Sequence, residues 1–385
     1  MRRVRRHVLA GVVVAGSVLL SACSSSGTVT VAIEGPMTGP QASTGIDMWR
    51  GAQLEAARIN DAGGILGKTL KLLQVDDRAD PATAVTVARA ALKKQISAVI
   101  GPYNSGVGVL NLSVYIKAGI PVVRLTSNHT TSGQGITLQP MDYQVAPFEA
   151  TAVEKTTGTK RVAIVYDTSA YTSGVANQMK TLLTSAQIPV VAFQPIASDQ
   201  TQFTGVLAAV KAAQPTIVYF AAYDPQAEDL VQQASTVGVP GTCLVDGLAA
   251  EGPVFLKTVP LSLAQTCAFS GVPTAEQLPN ARSYVSHYKA MYHDDPGTWG
   301  TFTYDSLGAL AGAVKTAGSW SARKVNRVLF HLSNYPGITG RITIDPSTGD
   351  RDNPPLVMQT VDSSGNYVVS HEWSQYGALP TLPGL

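Results

Sequence analysis

From Thr28 onward the chain switches between two spacings of apolar residues. Thr28–Ile33 (TVTVAI) is a β-branched run closed by Gly35-Pro36, which predicts a strand. Met48, Ala52, Ala56 and Ile59 then recur at helical spacing. Ser43 or Thr44 is placed to cap that helix, and Asp61-Ala62-Gly63-Gly64 ends it. Leu70–Val75 is a second strand. Asp80-Pro81 opens a helix through Ala84, Val87, Ala88 and Ala91, and Ala98–Ile100 is a third strand. Ser105 begins another helix, and Pro121–Leu125 is a fourth strand. Such alternation predicts a parallel sheet covered by helices on both faces.

The rhythm restarts after Ala146-Pro147. Arg161–Tyr166, Val190–Phe193, Thr216–Phe220, Cys243–Asp246 and Gln265–Gly271 read as strands. Helices at about Ser173–Gln187, Gln202–Ala213 and Pro225–Val237 separate them. Long helices follow at about Ala275–His293, Thr301–Ala317 and Ala322–Leu332. Arg341–Ile344, Leu356–Val361 and Tyr367–Glu372 form a small β addition with a turn at Ser363–Asn366. The fold class is therefore α/β, with two doubly wound parallel-sheet lobes and a C-terminal β addition. Ligands of open α/β sheets sit beyond the carboxyl ends of the strands, so those loops are the ones to search.

The first residues follow a different rule. Arg2, Arg3, Arg5 and Arg6 precede Val8–Ala22, an apolar stretch of 15 residues. That suits a signal peptide over residues 1–22 and falls short of the ~20 residues of a spanning helix. Leu20-Ser21-Ala22-Cys23, followed by Ser24-Ser25-Ser26-Gly27, resembles a bacterial lipobox. The resemblance implies an acylated Cys23, a tether over residues 23–27 and a chain held on the extracytoplasmic face of the cell membrane. The formal net charge of +2 belongs to that leader. Without its four arginines the chain has 24 basic and 26 acidic residues, a net charge of −2. Neither balance gives a reason to bind nucleic acid. Cys243 and Cys267 are the cysteines left after Cys23. In an oxidising compartment a disulfide is the default for them; two buried thiols are the alternative.

Signals for catalysis, cofactors and metals are poor. His129, His287, His293, His331 and His371 form no HExxH and no zinc spacing with cysteine. Ala62–Thr69 nearly matches a phosphate-binding loop, but Ala replaces its first glycine and it runs from helix to strand, the reverse order. Asp76-Asp77 and Asp294-Asp295 have no partner identifiable from spacing. No enzyme activity, cofactor or metal is expected.

Several strand-end segments carry a family resemblance. Gly35–Pro40, Trp49-Arg50-Gly51-Ala52, Ile59–Gly67, Val75-Asp76-Asp77 with Asp80-Pro81, Val99–Pro102, Ala118–Pro121 and Val162–Tyr166 occur in an order that resembles the leucine/isoleucine/valine-type periplasmic binding proteins. The likeness covers about residues 28–250 and is looser beyond, mainly Tyr304-Asp305. It implies a monomeric solute receptor of an ABC importer that docks on a membrane permease. The two lobes, residues 28–146 with 272–336 and residues 147–271 with 337–385, would be joined by three crossovers and close like a hinge. The solute would be an amino acid or a similar small molecule. A sensing receptor for amides, urea-like molecules or small aromatic acids, and an exported α/β enzyme, are the other readings.

Site residues follow from the same resemblance. Ser105 opens a helix where a hydroxyl, backbone N–H groups and the helix dipole suit a carboxylate. Thr126 and Asn128 match further contacts, with Asn where the family usually has threonine. Tyr171 and Tyr223 are placed to close over the ligand, and Asp246 to pair with its ammonium. Three positions depart from the family. Thr44 stands in place of a bulky aromatic. Ala79 and Asn104 occupy the region of a first-lobe disulfide. Arg124 replaces a small polar residue: turned outward it is a strand-end charge, turned into the cleft it favours an extra acidic group on the ligand.

Overall fold

The computed structural model describes residues 27–156, 158–250 and 252–369. The expected signal peptide, Cys23 and most of the expected tether lie outside the described residues, as do residues 370–385, His371 among them.

Two sheets organise the molecule. The first contains β1 (Thr28–Gly35), β2 (Thr69–Asp76), β3 (Ala98–Ile100) and β4 (Val122–Val123), ordered β2-β1-β3-β4 and all parallel. Helices α1 (Ala42–Asp61), α2 (Ala84–Leu92) and α3 (Ser105–Lys117) connect them. β1 is buried along both faces: Val31 and Ile33 pack with Met48 and Ile59, while Ala32 packs with Ala88, Leu112 and Tyr115. Burial on both sides explains why β1 reads as a continuous apolar run. The cap lies two to three residues earlier than expected. Ser43 and Thr44 lie inside α1, whose N-cap is Gln41.

α4 (Asp142–Lys155) then passes between the lobes. Ala146-Pro147, read from sequence as a break, lies within this helix. The second sheet follows with β5 (Val162–Asp167), β6 (Val190–Ile196), β7 (Ile217–Ala221), β8 (Thr242–Asp246) and β9 (Cys267–Gly271). Its helices are α5 (Ala170–Ser185), α6 (Thr204–Ala212), α7 (Gln226–Val237), α8 (Gly252–Thr258) and α9 (Leu261–Ala264). Cys243 and Cys267 are register partners on β8 and β9 and are joined in a disulfide, Sγ–Sγ 2.11 Å.

The chain next returns to the first lobe with α10 (Arg282–Tyr292), α11 (Thr298–Ala317) and α12 (Ala322–Leu329). Pro279 breaks the single helix expected over Ala275–His293 into two short 3₁₀ turns and α10. α11 lies so close to α1 that a Cβ on Gly51 would meet the Gly300 carbonyl oxygen. Buried Asp47 of α1 accepts the Gly297 and Gly300 N–H groups and so caps α11 from a neighbouring helix. A hairpin of β10 (Tyr335–Gly337) and β11 (Gly340–Ile342) comes next. Residues 337–351, expected with the second lobe, lie against the first. The Thr137 N–H donates to Gly349 and Arg351 Nη1 donates to the Leu138 carbonyl at 3.1 Å. β12 (Val357–Val361) and β13 (Tyr367–Val369) then complete the second sheet as antiparallel strands, giving the order β13-β12-β9-β8-β7-β5-β6.

Two acids are buried beside the first sheet. Glu34 accepts from Tyr115 Oη and Asn111 Nδ2, each at 2.6 Å, and burial with the nearby Asp77 charge lifts its pKa to about 8. Burial likewise lifts Asp77 to about 7. Both folded-state values exceed the unfolded ones, so between about pH 4 and these values the folded chain holds more protons. Stability from these groups is therefore full below the unfolded pKa and is lost as pH rises toward about 8. The melting temperature of the ligand-free protein should fall by several degrees between about pH 5 and pH 8. A flat or rising profile across that window would contradict this account.

Candidate functional site

The two lobes meet where the carboxyl ends of both sheets face each other. Tyr103, in the loop after β3, donates its hydroxyl to the Leu248 carbonyl at 3.1 Å. Asn128, in the loop after β4, donates Nδ2 to the Ala170 carbonyl of α5 at 2.8 Å. Both bonds run from the first lobe to the second.

Asp246 ends β8 and is completely buried. Its Oδ1 accepts from the Leu248 N–H at 3.0 Å and from Tyr171 Oη at 3.3 Å. Its Oδ2 has no hydrogen-bond partner. Burial pushes its pKa up to about 7, and the Asp167 charge adds to the effect. Behind it Glu149 of α4 accepts from Tyr219 Oη and Ser270 Oγ. Burial and the Asp246 charge raise the Glu149 pKa well above the ordinary carboxylate value. A carboxyl group buried among acids, with one oxygen unpaired, is costly unless a donor or cation reaches it.

Aromatic rings surround this corner. Tyr171 and Tyr223 have centroids 6.3 Å apart, Tyr223 and Tyr103 6.1 Å, and Tyr103 and Trp299 5.2 Å. Such separations suit edge-to-face and tilted packing. Trp299 Nε1 is buried without a partner, a second open polar atom. The Tyr223 N–H donates to Asp167 Oδ2, and Asp167 Oδ1 accepts from the Ser169 N–H and the Thr172 hydroxyl. Asp167 is thereby committed to the turn into α5, leaving Asp246 as the acid with an open oxygen.

The remaining expected residues divide. Ser105 is the first residue of α3 and is buried. Its Oγ accepts from the Ser127 N–H at 3.3 Å and the Asn128 N–H at 3.2 Å, which fixes the loop after β4 on the helix start. The Val107 and Gly108 N–H groups donate to the Asn104 carbonyl, which leaves those of Ser105 and Gly106 to form the electropositive start of α3 beside Tyr103. Asn128 bridges the lobes, and its Oδ1 also accepts from the Thr130 N–H at 3.0 Å. Thr126 is fully buried, with its hydroxyl 2.9 Å from that of Thr131. It holds the loop's shape from within.

Arg124 takes neither of the orientations weighed from sequence. It is fully buried and ion-paired with Asp350, while Nη1 donates to the Thr126 carbonyl at 3.4 Å. Ser132 Oγ and Tyr143 Oη also donate to Asp350, at 2.7 and 3.0 Å. The charge is consumed inside the first lobe, so it offers the cleft no acid-binding group.

Sequence reasoning missed Tyr103, Trp299 and Glu149. Tyr103 carried a signal, since it follows β3 in a loop already under suspicion. Trp299 carried none, because Asp47 on α1 is what brings the start of α11 to the cleft. Among the described residues no cluster of three or more His, Cys, Asp or Glu side chains is arranged to hold a metal ion, and no helix is long and apolar enough to cross a membrane.

Facing parallel-sheet lobes with strand-end residues meeting between them define the type I periplasmic binding fold. The sequence profile of the periplasmic binding protein family matches residues 28–366, and the chain belongs to that family. An amino acid binding protein of Pseudomonas aeruginosa is 27% identical over 355 residues, covering 88% of this chain and 91% of its own. The leucine-, isoleucine-, valine-, threonine- and alanine-binding protein of the same organism is 26% identical over 85% and 88% of the two chains. The solved leucine-binding protein of Thermotoga maritima superposes with a TM-score of 0.82 at 23% identity, covering 89% of this chain and 98% of its own. A benzoate-bound solute-binding protein from R. palustris has a TM-score of 0.80 at 18% identity, covering 89% and 95%. The last two likenesses establish the shared fold.

Proposed function

We propose that this protein is a solute-binding receptor of an ABC importer, lipid-anchored through Cys23 on the extracytoplasmic face of the membrane, that takes an α-amino acid or a similar small amine between its lobes. The observation that carries the reading is Asp246 Oδ2, buried and unpartnered beside Tyr171, where Tyr103 of the loop leading into α3 reaches across to the Leu248 carbonyl. An ammonium supplies the missing charge and donors at Asp246. The N–H groups of α3 and the Ser105–Asn128 loop receive a carboxylate. Tyr103, Tyr171, Tyr223 and Trp299 cover the body of the solute. Ligand contacts from both lobes favour the closed arrangement, and closure is selected only as far as the ligand prefers it.

A flat aromatic acid would also suit the rings and the start of α3, but it brings no ammonium to the unpartnered Asp246 Oδ2. The amine reading supplies one and is preferred. A thermal-shift screen of the mature chain against amino acids, amides, urea analogues and small organic acids tests it. A solute at 100 times its dissociation constant adds about 2.7 kcal/mol, a shift of a few degrees. Hits among zwitterionic amino acids support the pairing; hits confined to solutes without an amine overturn it.

The same pairing fixes a pH dependence. Ammonium binding needs Asp246 ionised, and its ligand-free pKa is about 7. Affinity should hold above that value and fall toward tenfold per pH unit below it. Titration calorimetry at stepped pH reads this directly, and a pH-independent Kd between about pH 5 and pH 8 would remove Asp246 from the ammonium contact.

A further inference from the structure

A parallel sheet gathers the starts of its strands at one edge. In the first lobe Thr28 pairs with Thr69, Val31 with Ala98 and Val99 with Val122, so the chain enters beside the segments that lead into β2, β3 and β4. Lys68, Lys93 and Lys94 lie in those segments, Lys71 is the third residue of β2 and Lys117 the last of α3, and all five are exposed. Among the described residues none of the five is in an ion pair. One exposed acid, Asp61, ends the helix before Lys68, and no acidic residue occurs between Asp80 and Asp142. Leu66 and Ile116, 43% and 40% exposed, stand in the same connections. This is a local excess of positive charge on a mature chain whose net charge is −2.

We infer that this edge is a docking surface for anionic lipid headgroups. The inference rests on the reading of Cys23 as the acylated residue. Gly27 is fixed to the edge, its carbonyl accepting from the Thr69 N–H at 3.0 Å, and a Cβ there would touch the Lys68 side chain at 3.6 Å. Four residue steps from Cys23 to Gly27 span at most ~14 Å. An acyl chain on Cys23 therefore holds the lysine edge within one to two screening lengths of the headgroups, where each basic side chain is attracted to anionic lipid. Acyl chains and a basic surface together make a firmer attachment than either alone. The Ser105 and Asp246 ends of the strands lie at the opposite edge of their sheets, so the cleft stays clear of the headgroups.

The test uses the mature chain with Cys23→Ser, which removes acylation and isolates the surface. It is sedimented with vesicles of phosphatidylcholine alone and with vesicles that also contain phosphatidylglycerol. Binding should require phosphatidylglycerol and weaken as salt is raised. Lys68→Gln, Lys71→Gln, Lys93→Gln, Lys94→Gln and Lys117→Gln together should reduce partitioning roughly tenfold or more. Neutralising Lys180, Lys211 and Lys257 of the second lobe should leave it unchanged. Equal partitioning by the five-lysine variant, binding to both vesicle types alike, or retention on heparin without binding to phosphatidylglycerol would overturn the inference. The mass of Cys23-containing protein from membranes reports acylation separately. Loss of the anchor reading therefore appears as a missing acyl mass, and loss of the docking surface as missing vesicle binding.

Discussion

Asp246→Asn is expected to keep the fold and to weaken binding of an amino acid by about 30-fold or more. The amide still accepts from the Leu248 N–H, which the carboxylate oxygen does at 3.0 Å. What disappears is the charge opposite the ligand's ammonium. Removing one partner of a buried charged pair costs about 2–5 kcal/mol, and each 1.4 kcal/mol is tenfold in Kd. Stability should move the other way or stay level, because the ligand-free protein no longer confines an ionisable group beside Glu149. Titration calorimetry and a melting curve on the same sample separate the two effects. An unchanged Kd with a lowered melting temperature would make Asp246 a structural residue and sink its ligand role.

Arg124→Met should be the most destabilising exchange in the first lobe. The variant leaves the Asp350 carboxylate, 1% exposed, without its cation. Ser132 and Tyr143 still donate to it, but two hydroxyl bonds do not replace a guanidinium in a dry site. Breaking a buried pair from one side costs about 3–5 kcal/mol. The double variant Arg124→Met with Asp350→Leu should recover most of that loss, since apolar replacements of a buried pair are often neutral. Denaturant unfolding of the single and double variants gives the coupling energy. A double variant destabilised by the sum of Arg124→Met and Asp350→Leu alone would mean that the pair contributes no coupling.

The architecture was legible because its signals are local. β-branched runs such as Thr28–Ile33, helical spacing such as Met48–Ile59 and Gly-Pro boundaries each act within a dozen residues. The family resemblance pointed to Ser105, Tyr171, Tyr223 and Asp246, and the Tyr171–Asp246 bond and the Tyr171–Tyr223 ring pair bring the last three together. What stayed hidden depends on partners far along the chain. α4 was missed because Pro147 looks like a breaker, although the helix continues through it. Arg124 looked like a free charge because Asp350 is 226 residues away. Thr126 was expected from the resemblance to contact the ligand, and the Thr131 hydroxyl that its own hydroxyl meets is a partner the sequence does not show.

The interleaving of the two lobes also sets the order in which the chain can mature. Arg124 is made early, yet Asp350 and Arg351, which complete the core around it, come near the end. The second sheet likewise waits for β12 to cover β9. At roughly 5–20 residues per second, synthesis of the ~350 residues involved takes roughly 20–70 s. Through that time neither lobe can close its core, so the nascent chain remains pliable until translation is almost over. The interleaved order of the lobes thus delays final folding to the last stage of synthesis.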